Sequence, residues 1–258
     1  RDAARAAADI SYHAGAVRTN IELALALTGG PEPMRYAPDD AAIDATQADA
    51  ALAAALRRAS PEQRVRALAV GALRHLRLGG HEGPREAIGL AAEATSIVQT
   101  TDCGVDTAEA LTNLAVAQLA DIVDVSRGEA AAARGEEEEL QQAKSLLLEA
   151  LKVCSTARVG DNADAAALKS KAAMALSLAH ELEGTLGEAF ERRADALTQR
   201  RQQVERRTRR ASLPLGVTRA REVAHALRRA GRDTEALEQL SCEEDVLRAF
   251  ARMRSVML

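Results

Sequence analysis

Two stretches of the chain keep the same residue offsets through a central glycine, and that agreement limits the fold more than any other feature. In ALSLAHELEGTLGEAFERRADAL, Leu176 and Ser177 precede His180, Gly184, Ala189 and Ala196. In REVAHALRRAGRDTEALEQL, Val223 and Ala224 precede Leu227, Gly231 and Ala236 at the same steps. An apolar or small residue, a glycine seven or eight positions on and an alanine five later describe two helices joined by a tight turn. The glycine ends the first helix in a conformation that other residues resist, and the alanine lets the second helix cross the first closely. The spacing predicts antiparallel helical hairpins.

The rest of the chain punctuates in the same way. Residues 9–27 are Ala/Leu-rich and stop at Gly29-Gly30-Pro31, and Asp39 or Asp40 can cap a helix running to about Arg58. Ser60-Pro61-Glu62-Gln63 reads as a capping box, with proline where its missing N–H does no harm. That helix ends near Gly79-Gly80, and Pro84 opens the next. Asp106, Asp161 or Asp164, and Asp233 are candidate caps further on, and Ser241 with Glu244 reads as a second capping box. Nine or ten helices with mostly short connections follow, so neighbours run antiparallel. Val, Ile and Thr never gather into alternating runs, so no strand is predicted. Ala and Leu carry a hydrophobic fraction of 47%, against 2% aromatic residues and no Trp, which suits close-packed helices better than an aromatic-lined pocket. The fold class expected is all-α.

These offsets resemble the tetratricopeptide repeat (TPR), a helix–turn–helix unit that stacks into a solenoid. Leu111, Leu114 and Ala115 in ALTNLAVAQLA look like packing positions of another first helix, with Ala143, Leu147 and Ala150 in its second. Ala87, Ala91 and Ala94 look like the second helix of an earlier unit. The linkers at 100–110 and 159–166 are similar to the longer loops of kinesin-light-chain-type repeats. The anchors Ala87, Ala143, Ala189 and Ala236 lie 56, 46 and 47 residues apart, longer than the TPR period, and this spacing also suits armadillo or HEAT-like repeats. The tyrosine-type position is His180 in one unit and Leu227 in the other, and the proline expected after each second helix is missing. The resemblance implies an α-solenoid of four to five antiparallel hairpins over residues 60–258, with an insertion at about 121–138. Residues 1–58 form an N-terminal helical segment, compatible with one more degenerate unit around Tyr12, Gly15 and Asn20.

Chemical motifs are sparse. His13, His75, His81, His180 and His225 fall in different expected hairpins, without the i, i+4 spacing of a zinc helix. GxSxG, GxxxxGK[ST] and GxGxxG do not occur, and no carboxylate pair stands out, so neither an enzyme nor a cofactor or metal is expected. Cys103, Cys154 and Cys242 are odd in number, lack CxxC spacing and read as inert thiols on Ala/Leu faces. They point to a reducing, intracellular compartment, the cytoplasm or an organelle matrix such as the mitochondrial one, the latter also suggested by an Arg-led start. No apolar run reaches the length of a membrane span.

Two charged runs invite functional readings. GEEEEL, with Glu136 to Glu139, begins the helix drawn by Ala143, Leu147, Ala150, Leu151 and Cys154, where negative charge suits the helix dipole. Residues 191–212 gather Arg192, Arg193, Arg200, Arg201, Arg206, Arg207, Arg209 and Arg210. This cluster reads first as a solvated helix extension, then as a contact for an acidic protein through Arg200, Arg201, Arg206, Arg207, Arg209 and Arg210. Nucleic acid ranks last, because no aromatics interleave for base stacking. The apolar tail FARMRSVML is expected to pack back on the preceding hairpin as a cap to the stack. The function expected is that of a non-catalytic scaffold or adaptor, a subunit of a larger assembly that binds other subunits or peptide segments. The TPR resemblance implies a concave groove lined by first helices, with Asn113, Gln118, Lys171, His180 and Arg228 in it. The alternative is a helical repeat protein that associates with nucleic acid through the arginines of 192–210.

Overall fold

The computed structural model describes residues 14–21, 23–24, 45–78, 82–100, 104–128, 133–155, 163–207 and 215–256. Among them are ten α-helices and no strand: α1 (residues 14–21), α2 (Ala45–Leu56), α3 (Pro61–Leu78), α4 (Gly83–Thr100), α5 (Val105–Gly128), α6 (Ala133–Cys154), α7 (Ala163–Glu183), α8 (Leu186–Arg207), α9 (Leu215–Arg229) and α10 (Asp233–Val256). The chain divides into two compact units, Arg1–Leu146 and Leu147–Leu258, and the division falls within α6.

In the first unit the helices pack in sequence. Val17, Ile21 and Ala24 meet Ala51, Leu52 and Ala55 of α2 and Ala67 and Val70 of α3. The opposite side of α3, through Val65 and Leu68, meets Ala94 and Val98 of α4 and Ala110 of α5. One turn on, Ala72 meets Ala87 and Ala91 of α4 and Leu114 and Ala117 of α5, with Leu146 of α6 against them. Helix α5 touches both α3 and α4. Its residues Ala108, Leu111, Thr112, Leu114, Ala115 and Leu119 are all buried, so it is enclosed on most of its circumference. Fully buried alanines at these crossings carry only a methyl group, too small to hold the axes apart, and helices can approach to the short end of the usual spacing.

The α3 start confirms the capping box. The Ser60 N–H donates to Gln63 Oε1 (3.2 Å), and the Gln63 N–H donates to Ser60 Oγ (3.3 Å). Two helix-terminal donors that the helix cannot satisfy are thereby paired.

In the second unit α7 packs on α8, α9 on α10, and α10 on α8. Phe190, Leu197, Val217, Leu240 and Leu247 form the centre of its core. The two matched stretches are its two hairpins. Gly184 and Gly231 have φ of 82° and 72°, the left-handed region that L side chains resist. Around each, the same pair of backbone bonds closes the helix. Gly184 N–H donates to Glu181 O (3.1 Å) and Thr185 N–H to His180 O (2.9 Å), while Gly231 N–H donates to Arg228 O (3.1 Å) and Arg232 N–H to Leu227 O (3.0 Å). Both are Schellman turns with identical register. Ala189 and Ala236 are fully buried where the second helix crosses the first, and Ser177 Oγ donates to Ala189 O across that crossing (2.8 Å).

Four expectations are corrected here. Ser241 does not cap a helix, because α10 runs unbroken through it; its Oγ donates to Leu237 O one turn back (3.1 Å), the alternative partner a serine finds inside a helix. Val223, matched in the sequence to the buried Leu176, is 40% exposed, and Ala224 alone fills that position of α9. The acidic run does not open its helix: α5 continues to Gly128 and α6 starts at Ala133, ahead of the glutamates. Glu137, Glu138 and Glu139 therefore stand exposed one turn inside α6 rather than at its start, where the dipole effect has largely decayed. Finally, Cys242 is exposed rather than on an apolar face, whereas Cys154 is buried. Asp39, Asp40, Cys103 and Asp161 lie outside the described residues, as do the side chains of the 250–258 tail.

Candidate interaction site

An open cleft of about 470 Å³ lies at the α7–α8 turn, walled by Gly184, Gly187, Glu188, Glu191, Arg228 and Asp233. The Schellman turn at Gly184 brings the start of α8 to this point, and α9 delivers Arg228 from its last turn. Arg228 is fixed on three sides. Its Nη1 donates to Asp233 Oδ1 (2.7 Å), its guanidinium lies 5.9 Å from the Phe190 ring centroid, and it presses on Gly187. A β-carbon at Gly187 would fall 2.8 Å from Arg228 Nη2, so the close approach depends on glycine. Phe190 in turn meets His225 edge-to-face at 5.4 Å. With Arg228 partnered by Asp233, the carboxylates of Glu188 and Glu191 leave the cleft with negative character, suited to a lysine or arginine side chain.

Of the expected groove residues, the structure brings His180 and Arg228 to this turn. His180 Nδ1 is 2.9 Å from Thr185 Oγ1, and Thr185 lines the cleft. Lys171 is half-buried on the same helix as His180, nine residues earlier or about 13 Å along the axis. Asn113 and Gln118 belong to the other unit and are buried in α5, 6% and 8% exposed, so neither offers an open side chain. Gln118 Oε1 has no hydrogen-bond partner among the described residues.

The arginine cluster is not a uniformly solvated face. Arg193 is buried in the second unit. Its Nη2 pairs with Glu181 Oε1 of α7, and its Nη1 donates to Leu237 O (3.4 Å) and Ser241 Oγ (3.2 Å) of α10. Arg200 Nη1 reaches Glu244 Oε1 of α10 at 3.3 Å. Arg192 and Arg201 are half-buried. The side chains of Arg206 and Arg207, and all of Arg209 and Arg210, lie outside the described residues. A sequence reading of charge clusters misses such engagement, because the acidic partners come from other helices: Glu181 is 12 residues from Arg193 and Glu244 is 44 from Arg200.

A second polar cluster joins α2, α3 and α4. Buried Arg74 pairs with Asp49 and also lies 3.2 Å from His75 Nε2 through Nη1, while His75 Nδ1 faces Glu86. An arginine can only donate, so His75 Nε2 accepts and the proton sits on Nδ1, directed at Glu86. The arrangement ties three helices together and holds no nucleophile.

Burial pushes the Cys154 thiol above its ordinary range, with Lys169 opposing, so little thiolate forms at neutral pH. Among the described residues, no group of three or more His, Cys, Asp or Glu is arranged to hold a metal ion, and no helix is long and apolar enough to cross a membrane. Compared with known protein families, curated proteins and solved structures, the chain matches none.

Proposed function

We propose that the chain is a non-catalytic scaffold built from TPR-like hairpins, which binds segments of other proteins as part of a larger assembly. The observation that carries this reading is the identical Schellman-turned geometry of the α7–α8 and α9–α10 hairpins, 47 residues apart and buried at the same alanines. The packing of α5 on both α3 and α4 supports it as well, since stacked hairpins bring a following first helix onto both members of the preceding pair. Stacked hairpins expose much ordered surface for their mass, which favours binding. The cleft at the α7–α8 turn supplies a docking point for a basic side chain of the partner. The nucleic-acid reading draws less support, because Arg193 and Arg200 already serve Glu181 and Glu244.

Affinity capture from the native source, run with and without nuclease, tests the proposal. A protein retained in fixed ratio after nuclease treatment supports the scaffold. Retention that disappears with nuclease and falls steeply with salt would replace it with the nucleic-acid reading.

A further inference from the structure

Glu243 is the one polar member of a buried stripe on α10 that also includes Ala236, Leu240 and Leu247. It is 0% exposed, and neither carboxylate oxygen has a hydrogen-bond partner among the described residues. The hairpin repeat shows how unusual this is. In the 47-residue register that pairs Gly184 with Gly231, Glu243 corresponds to Ala196, which is fully buried in α8 and whose carbonyl accepts from Ser170 Oγ at 2.9 Å. A carboxyl group thus occupies a place that the preceding hairpin gives to a methyl.

Elements on two sides face this carboxyl. From α8 comes Arg201, and from α9 comes Arg221; both fields favour the ionised form. Desolvation is larger and opposes them, so burial holds the carboxyl above the usual 4.5. Arg221 is drawn aside, with its Nη2 donating to Thr198 Oγ1 of α8. Among the described residues of α8, Arg200 is paired with Glu244 and Arg193 with Glu181 and Ser241, and the His225 ring of α9 meets Phe190 edge-to-face. Asp245 is exposed on the far side of α10. The closed core therefore favours the neutral acid over the anion: the carboxyl is fully buried with neither oxygen hydrogen-bonded among the described residues, and burial outweighs the Arg221 and Arg201 fields.

We propose that Glu243 is a proton-operated latch: as the neutral acid it lets α10 lie closed on α8 and α9, and on ionisation it loosens α10 so that the carboxylate reaches water. The direction follows from linkage. A carboxyl held more protonated in the closed state contributes stability that is complete below its exposed value of 4.5. That contribution is lost as pH rises to the closed-state value, and nothing further changes above it.

Hydrogen exchange of the α10 amides in the full chain, followed from pH 4 to pH 8 and corrected for intrinsic exchange, reads the latch. The α10 opening constant should rise by up to about tenfold per pH unit from near pH 4.5 and then level off. Glu243→Gln and Glu243→Leu should each abolish the rise, and Glu238→Gln, at an exposed position on the same helix, should keep it. The Leu variant carries the test if the Gln variant does not fold. A flat wild-type profile, or a rise that survives both Glu243 variants, would overturn the proposal.

Discussion

Replacing Arg193 probes what holds the second unit together. Its side chain is 7% exposed and joins α7 and α10 to α8, while its partner Glu181 is 25% exposed. Two unit charges about 4 Å apart attract by roughly 4 kcal/mol at an effective dielectric near 20. Desolvation of both ions offsets most of that, so the intact pair adds little net stability. Breaking it from one side is different, because the remaining charge is stranded. Arg193→Met strands Glu181, which rehydrates through its exposed quarter, and also frees the acceptors Leu237 O and Ser241 Oγ; the loss should be about 2–3 kcal/mol. Glu181→Leu strands a guanidinium with almost no access to water and should cost about 3–5 kcal/mol. Changing both should cost less than Glu181→Leu alone, a coupling that a double-mutant cycle exposes. Urea unfolding monitored by far-ultraviolet circular dichroism gives these values from the midpoint shift at constant slope. If Arg193→Met falls within about 0.5 kcal/mol of the native chain, or if the effects of the two changes simply add, Arg193 is not the buried connector described here.

Further predictions follow from the turns, the caps and the titrating groups. Gly184→Ala and Gly231→Ala should each destabilise by about 1–2 kcal/mol, and by similar amounts, since both require left-handed backbone; unequal losses in urea midpoint would break the equivalence of the hairpins. Ser60→Ala should cost about 1 kcal/mol through loss of the reciprocal cap, with amide exchange rising in the first turn of α3. Asp106 is held above its ordinary value of 3.8, first by burial and then by Glu109, with Arg66 opposing. Its contribution to stability is present below that value and lost as pH rises through the folded one. Asp106→Asn should accordingly stabilise at pH 7 and lose its advantage near pH 3, as equilibrium unfolding at the two pH values would show.

The two turns and the α3 cap were legible in the sequence because their determinants are local, whereas Asp106 and Asp233, expected as caps, lie inside helices whose first bonds are accepted by Gly104 and Arg232. Gly184, Gly231 and the Ser60–Gln63 pair each act within a few residues, so their spacing is sufficient to place them. The Ser241–Glu244 pattern has the same letters and fails, because a cap also needs a chain that leaves the helix before it. Here α10 enters Ser241 from helix, and the hydroxyl turns back to Leu237. Packing partners were not legible. Asn113 and Gln118 look like surface polar residues, yet α5 is covered on almost every side. Arg193 looks like one of many solvated arginines, but its partners lie on two other helices. Glu243 could be matched to Ala196 by counting, but its burial depends on where α8 and α9 lie. The cleft likewise escapes sequence reading, since Arg228 reaches Gly187 only after α9 has docked.

Native mass spectrometry of the complex purified from the chain's natural source bears most directly on the scaffold reading. A discrete assembly containing this chain and at least one other protein in fixed ratio is the predicted result. A chain that appears alone, or only with nucleic acid, would contradict it.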